Sequence, residues 1–136
     1  MKKSITLRKK YHFKFKNSLN FKKHLLKWGT LGFKLKKTVC ISEMQEMSIK
    51  LILIKYLKKI TLKKFKLFFN SKCFYSATKL PLESRMGKGK GEICHFFGYY
   101  KKGYILFELK NISLFQALKL QNQLNKNKIL KIKIIY

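Results

Sequence analysis

Charge constrains this chain before anything else does: 33 lysines and arginines stand against 5 acids in 136 residues, a formal net charge of +28. Like charge at that density repels itself in any compact form and weakens folding until a polyanion neutralises it. An ordinary soluble metabolic enzyme is excluded, and nucleic acid is the expected partner. Wholesale disorder is excluded too, because 46% of the residues are hydrophobic and a chain of this length supports one core. The expectation is one folded domain with basic extensions.

The composition is skewed within each chemical class. Arginine occurs only at Arg8 and Arg85, alanine only at Ala77 and Ala117, and aspartate not at all, while Lys, Phe, Ile, Leu, Asn and Tyr fill the chain. These are residues of AT-rich codons, as an AT-biased genome produces, and organellar genomes are the commonest such case. Lysine has then replaced arginine wherever a point charge serves. The two arginines left are candidates for places where the planar guanidinium fork matters. Cys40, Cys73 and Cys94 are odd in number and widely spaced, which fits neither a disulfide framework nor a zinc site and suggests reduced, packed thiols. With His12, His24 and His95 they form no pair at ligand spacing, so neither metal nor cofactor is expected. The run Leu51-Ile52-Leu53-Ile54 ends at Lys55, far short of the roughly 18 apolar residues that span a bilayer, so no membrane insertion is expected. The first eight residues show no signal-peptide apolar stretch, and they are too short before the next charge run to read as a transit peptide.

Residues 1–27 interleave lysines with aromatics and contain no acid, which suits an extended arm ordered by its partner. Residues 28–136 are expected to form the single domain. Two glycines in Trp28-Gly29-Thr30-Leu31-Gly32-Phe33 suggest a turn, with a strand following over 35–41. Ser42-Glu43-Met44-Gln45 is a capping box, and Glu43 and Glu46 suit the positive end of a helix over 43–59. Two apolar stripes run along it, Met44/Met47/Leu51/Ile54 and Ile49/Leu53/Tyr56/Ile60. Strands are expected over 65–69, 93–100 and 104–109, the last two joined as a hairpin at Lys101-Lys102-Gly103. A long irregular stretch over 70–91 separates them from the first. Ser113-Leu114-Phe115-Gln116 opens a second helix with Ala117, Leu120 and Leu124 in line, and 128–136 alternates as a terminal strand. The order gives an α+β fold, a mostly antiparallel sheet with two packed helices.

Chemistry concentrates in Pro81-Leu82-Glu83-Ser84-Arg85-Met86-Gly87-Lys88-Gly89-Lys90-Gly91-Glu92. Glycines at alternate positions let backbone amides approach an anion, while Lys88 and Lys90 add charge. A nucleotide-binding enzyme is the rival for such a loop. The Walker spacing fails, and Lys90 leads into Gly91-Glu92 and a strand where that motif requires a helix. The dinucleotide fingerprint fails for want of its G-x-x-G step. Glu43, Glu46, Glu83, Glu92 and Glu108 pair with no nucleophile, so no catalytic residue is expected.

The seven residues Arg85-Met86-Gly87-Lys88-Gly89-Lys90-Gly91, preceded by Lys79-Leu80-Pro81, resemble the hallmark loop of the large-subunit ribosomal protein family called L-sixteen in bacteria and organelles, the counterpart of eukaryotic L-ten-e. Arg8-Lys9-Lys10-Tyr11-His12, Trp28-Gly29-Thr30-Leu31-Gly32-Phe33, Ile41-Ser42-Glu43-Met44-Gln45-Glu46 and Tyr104-Ile105-Leu106-Phe107-Glu108 resemble further family segments, so the likeness covers nearly the whole chain. Two stretches depart from it: residues 13–20 lack the family arm's glycines, and Asn70-Ser71-Lys72-Cys73 replaces its proline-rich turn.

The resemblance implies a structural constituent of the large ribosomal subunit that binds large-subunit rRNA and helps shape the tRNA sites near the peptidyl transferase centre. Its partners would be rRNA, tRNA and neighbouring ribosomal proteins. Arg85 would pack on or bond to rRNA. Lys79, Lys88 and Lys90 would neutralise phosphates, and Met86, Gly87, Gly89 and Gly91 would complete the binding loop within residues 70–92. Arg8, Lys9, Lys10, His12, Lys14 and Lys16 would thread rRNA from the arm. The expected compartment is the mitochondrion, with the plastid as the alternative. The competing expectation, a cationic membrane-surface or general nucleic-acid-binding protein, rests on the basic end of the 42–59 helix.

Overall fold

The structure is a computed structural model. It describes residues 24–61, 64–84, 87, 89–126 and 130–136, and the statements below concern those residues. The chain forms β1 (Leu31–Leu35), β2 (Val39–Ser42), α1 (Glu43–Ile60), β3 (Lys66–Phe69), β4 (Tyr75–Lys79), β5 (Glu92–Tyr100), β6 (Ile105–Lys110), α2 (Leu114–Lys126) and β7 (Ile132–Ile135). All strand pairs are antiparallel. They make a four-stranded sheet in the order β3-β6-β1-β7 and a three-stranded sheet in the order β2-β5-β4. The fold is α+β, as the order of elements predicts.

The two sheets share one bent ribbon. β1 pairs with β6 and β2 with β5, so residues 31–42 run antiparallel to 97–109 almost throughout. The break comes where both chains turn at once. Leu35 donates to Tyr104 O and Gly103 to Leu35 O, both at 2.9 Å, and Lys102 donates to the Thr38 hydroxyl at 3.3 Å. Gly103 has φ 89°, a conformation that costs glycine nothing. The expected 93–109 hairpin is therefore corrected, since β5 and β6 are not partners and the glycine turn passes the chain from one sheet to the other. The expected single strand over 35–41 is likewise two strands, bent at residues 36–38.

The first glycine cluster is also corrected, because Gly32 lies inside β1, opposite Glu108 and Ile135. A Cβ there would meet the terminal methyl of Leu26 and lie 3.2 Å from the Ile135 side chain, so this glycine sits in a packed strand and not in a turn. β4 was expected to be irregular. Tyr75-Ser76-Ala77-Thr78-Lys79 has no apolar alternation, and it is a strand because β5 offers it a partner.

The core lies between the larger sheet and the helices. Phe33 and Phe107 stack at 4.5 Å between centroids, and Phe69 extends the stack at 6.0 Å. Leu53 and Leu57 of α1, and Ala117, Leu120 and Leu124 of α2, close over them. A bulge shifts the β1–β6 register between Phe33 and Lys34. It leaves Leu106 and Phe107 both in the core, while Ile105 meets the Gly32 face, as an extra residue in one strand does. Both capping boxes form, Ser42 with Gln45 at 3.0 and 3.3 Å and Ser113 with Gln116 at 3.2 and 3.3 Å. Gln116 also donates to Ile60 O at 3.2 Å, tying the start of α2 to the end of α1. Of the two stripes on α1, Ile49 and Leu53 go inside with Glu46 and Leu57, whereas Met44, Met47, Leu51 and Ile54 face outward. Cys40 and Cys94 are exposed thiols, not packed ones, because both lie on the short sheet away from the main core.

Two of the five acids are buried and hold the chain together. Glu108 is fully buried. One carboxylate oxygen accepts the backbone N–H groups of Lys27, Trp28 and Gly29 at 3.1, 2.7 and 2.7 Å, and the other accepts Asn70 Nδ2 at 2.9 Å. Burial acts to raise its pKa, but the bonds from Gly29, Trp28, Asn70 and Lys27 together outweigh it and hold the pKa below the ordinary value, as donors to an ionised carboxylate do. Asn70 is fixed further by its N–H to Leu106 O at 2.9 Å and by the Tyr104 hydroxyl donating to its carbonyl at 2.6 Å. Glu46 pairs with Lys50 at 2.8 Å and accepts the Cys73 thiol at 3.0 Å. Burial, and then Glu46, push that thiol up to about 12.

Replacing Glu108 with Gln is expected to destabilise the folded chain by about 2 kcal/mol, because buried N–H groups lose a charged acceptor. A carboxylate with a depressed folded pKa contributes stability above its unfolded pKa and loses it as pH falls through the folded one. The wild type should therefore lose stability below about pH 4. Thermal unfolding of Glu108→Gln across that range should show a weaker acid dependence, and an unchanged one would refute the assignment.

Candidate nucleic-acid interface

β4 and β5 form the stem of the glycine- and lysine-rich loop. Their register runs from Tyr75 opposite Phe97 to Lys79 opposite Glu92, with a shift between Ala77 and Thr78. Because β5 also pairs with β2, the stem is continuous with the bent ribbon and through it with the core. At the far end Ser84 N–H bonds to Pro81 O at 3.2 Å, making a short turn. Residues 79–83 are exposed, as are Gly87, Gly89 and Lys90.

The three glycines serve two physical ends. Gly87 and Gly89 have φ 95° and 89°, and a Cβ on either would meet nothing within 4 Å. They are glycines for conformation, in open space, where backbone stays accessible to a ligand. Gly91 has no such φ, and its Cβ position is filled by the backbone of Lys79 and Leu80. It lets the two legs of the loop close against each other. Lys79 and Lys90 thus sit at the mouth of the stem. Arg85, Met86 and Lys88 lie outside the described residues, as do Arg8, Lys9, Lys10, His12, Lys14 and Lys16 of the arm. On the larger sheet, the Glu108 carboxylate holds residues 27–29.

One face of the small sheet is aromatic. Tyr75 lies 5.8 Å from Phe97 and 5.7 Å from Tyr99, Phe97 lies 5.1 Å from Tyr99, and His95 lies 6.4 Å from Phe97. His95, Phe97 and Tyr99 alternate along β5, so all three point to that side. His95 is exposed, and Tyr75 and Tyr99 are half-buried. Among the described residues no group of His, Cys, Asp or Glu could hold a metal ion, and no helix is long and apolar enough to cross a membrane.

What sequence reasoning missed is the support of the site, Asn70 and Glu108. A single acid within Ile105-Leu106-Phe107-Glu108-Leu109, in a chain so short of acids, was the available signal.

A stem of two paired strands thus ends in an exposed turn of glycine and lysine, in a chain of net charge +28. Residues 2–131 match the family described as ribosomal protein L16p/L10e. The chain is similar to the large ribosomal subunit protein uL16m of Chondrus crispus, 33% identical over 120 residues that cover 87% of each chain. It is similar as well to uL16m of Acanthamoeba castellanii, 33% identical over 119 residues, 85% of this chain and 81% of that one. The uL16c protein of Cyanidium caldarium is 32% identical over 89 residues, 65% of this chain and 61% of its own. The chain belongs to the L16p/L10e family of ribosomal proteins. It is a structural ribosomal protein and not an enzyme.

Substitution at the glycines should separate their two uses. Gly91→Val should open the stem and speed hydrogen exchange at the amides of residues 77–79 and 92–93. Gly87→Ala should leave those amides protected and cost only about 1 kcal/mol of local backbone strain. Equal effects would contradict the division.

Proposed function

We propose that this protein is a constituent of the large subunit of a mitochondrial ribosome, where it binds large-subunit rRNA and helps shape the tRNA sites near the peptidyl transferase centre. Residues 1–27 serve as the rRNA-binding arm, residues 28–136 as the domain, and the loop within 70–92 as the second RNA-binding element. The observation that carries this is the setting of the family's signature, an exposed lysine and glycine loop on a stem continuous with the core. Lys79, Lys88 and Lys90 neutralise phosphate, Gly87 and Gly89 admit the RNA backbone, Gly91 closes the stem, and Met86 completes the loop. Arg85, one of two arginines retained, supplies the planar fork that lysine lacks. Arg8, Lys9, Lys10, His12, Lys14 and Lys16 contact rRNA phosphates along the arm. The mitochondrial assignment is supported by two mitochondrial-type relatives that match more of the chain than the plastid-type one does. The plastid-type likeness makes the plastid the second reading.

Phosphate contacts make affinity fall linearly with salt on a log–log scale, by roughly 0.7 to 0.9 per contact. Binding of the full chain to its large-subunit rRNA should therefore have a steep slope. Alanine at Lys79, Lys88 or Lys90 should reduce it by about one unit each. Arg85→Lys should weaken binding with little change in slope. Loop variants with wild-type slopes would remove the loop from the RNA interface.

A further inference from the structure

The outward stripe of α1 has no use in anything described so far. Met44, Met47, Leu51 and Ile54 follow one another at helical spacing, and their exposures are 80%, 55%, 69% and 38%. Single exposed apolar residues are ordinary, but a line of four on one helix face is a contiguous patch of the kind that marks an interaction site. The opposite face, with Ile49, Leu53 and Leu57, is buried, so α1 carries an apolar surface on both sides and the fold covers only one.

Charge decides what covers the other. Residues 38–54 hold Glu43 and Glu46 against Lys50 alone, an acid excess inside a chain of net charge +28. Lys50 is already engaged, its amine 2.8 Å from Glu46 and 4.8 Å from the centre of the Phe69 ring. The stripe therefore begins beside the exposed Glu43, is flanked within its length by one cation, Lys50, which Glu46 already pairs, and ends at exposed Lys55 and Lys58. A phosphate backbone gains nothing against methionine and leucine and is repelled by Glu43. An apolar protein segment gains by burial and can answer the charges at either end.

We propose that this face of α1 is a docking surface for a neighbouring protein of the large subunit. The docked segment lays apolar side chains along Met44, Met47, Leu51 and Ile54 and places an acidic residue near Lys55 and Lys58. The unbranched thioethers of Met44 and Met47 suit such a surface because they adapt to a partner's shape. The inference rests on the ribosomal assignment.

The methionines permit a test on the natural particle. Hydrogen peroxide should oxidise Met44 and Met47 several-fold more slowly in intact large subunits than in the free chain, since sulfoxide formation follows exposure. Organelles supplied with a diazirine analogue of methionine and irradiated should yield cross-links from positions 44 and 47. The expected product is a peptide of another large-subunit protein that contains apolar residues and an acid. Cross-links to rRNA, to a second copy of this chain, or to a peptide with no acid would overturn the proposal, and so would oxidation at the free-chain rate in the particle. Those results leave the chain in the large subunit and refute only the docking, whereas its absence from the particle refutes the ribosomal assignment and the docking together.

Discussion

The buried carboxylate of Glu108 is the interaction on which the rest of the structure depends. It sits in the central region of the larger sheet, on β6, and joins two segments far away in sequence, residues 27–29 and Asn70. The first closes the lysine-rich stretch of residues 1–27. The second begins the connection from the larger sheet to the stem of the loop. Three successive backbone amides aimed at one oxygen give the carboxylate what water would otherwise supply, and a buried charge is tolerable only on those terms. In a chain with five acids, using Glu108 as an internal fastener and Glu46 in the same way leaves little to offset the surface lysines, and the compact form repels itself.

The bent ribbon links that fastening to the stem of the glycine and lysine loop. β6 and β1 belong to the core and continue into β5 and β2, which belong to the stem. The two pairs meet at the bend of residues 36–38 and 101–103, where Leu35 N–H bonds to Tyr104 O and Gly103 N–H to Leu35 O, both at 2.9 Å. Gly87 and Gly89 stand in open space at the tip, whereas Gly91 packs against the backbone of Lys79 and Leu80. The division of α1 follows a similar economy, with one face in the core and the other offered to a neighbour.

Much of this was legible in the sequence. The two capping boxes, the line through Ala117, Leu120 and Leu124, and the terminal strand all obey local rules that need no tertiary context. The signature at 85–91 pointed to the family that residues 2–131 match. The errors lie where long-range pairing overrides local pattern. Gly32 looked like a turn because a glycine in a strand is unusual, and its pairing with Glu108 and Ile135 is not a local fact. β4 has no strand pattern and borrows its conformation from β5. The Lys101-Lys102-Gly103 turn has hairpin chemistry, yet the strands on either side find other partners. Which stripe of α1 would be buried was undecidable from periodicity, because each is apolar. The buried role of Glu108 was signalled only by an acid in an otherwise apolar run.

The measurement that bears most directly on the account is quantitative mass spectrometry of this chain across a sucrose gradient of lysed mitochondria, at moderate and at high salt. A ribosomal constituent held by rRNA phosphates should co-migrate stoichiometrically with the large subunit at moderate salt. It should leave only at salt concentrations that strip other rRNA-bound proteins. Chain found at the top of the gradient at moderate salt, or with the membranes, would contradict the ribosomal assignment.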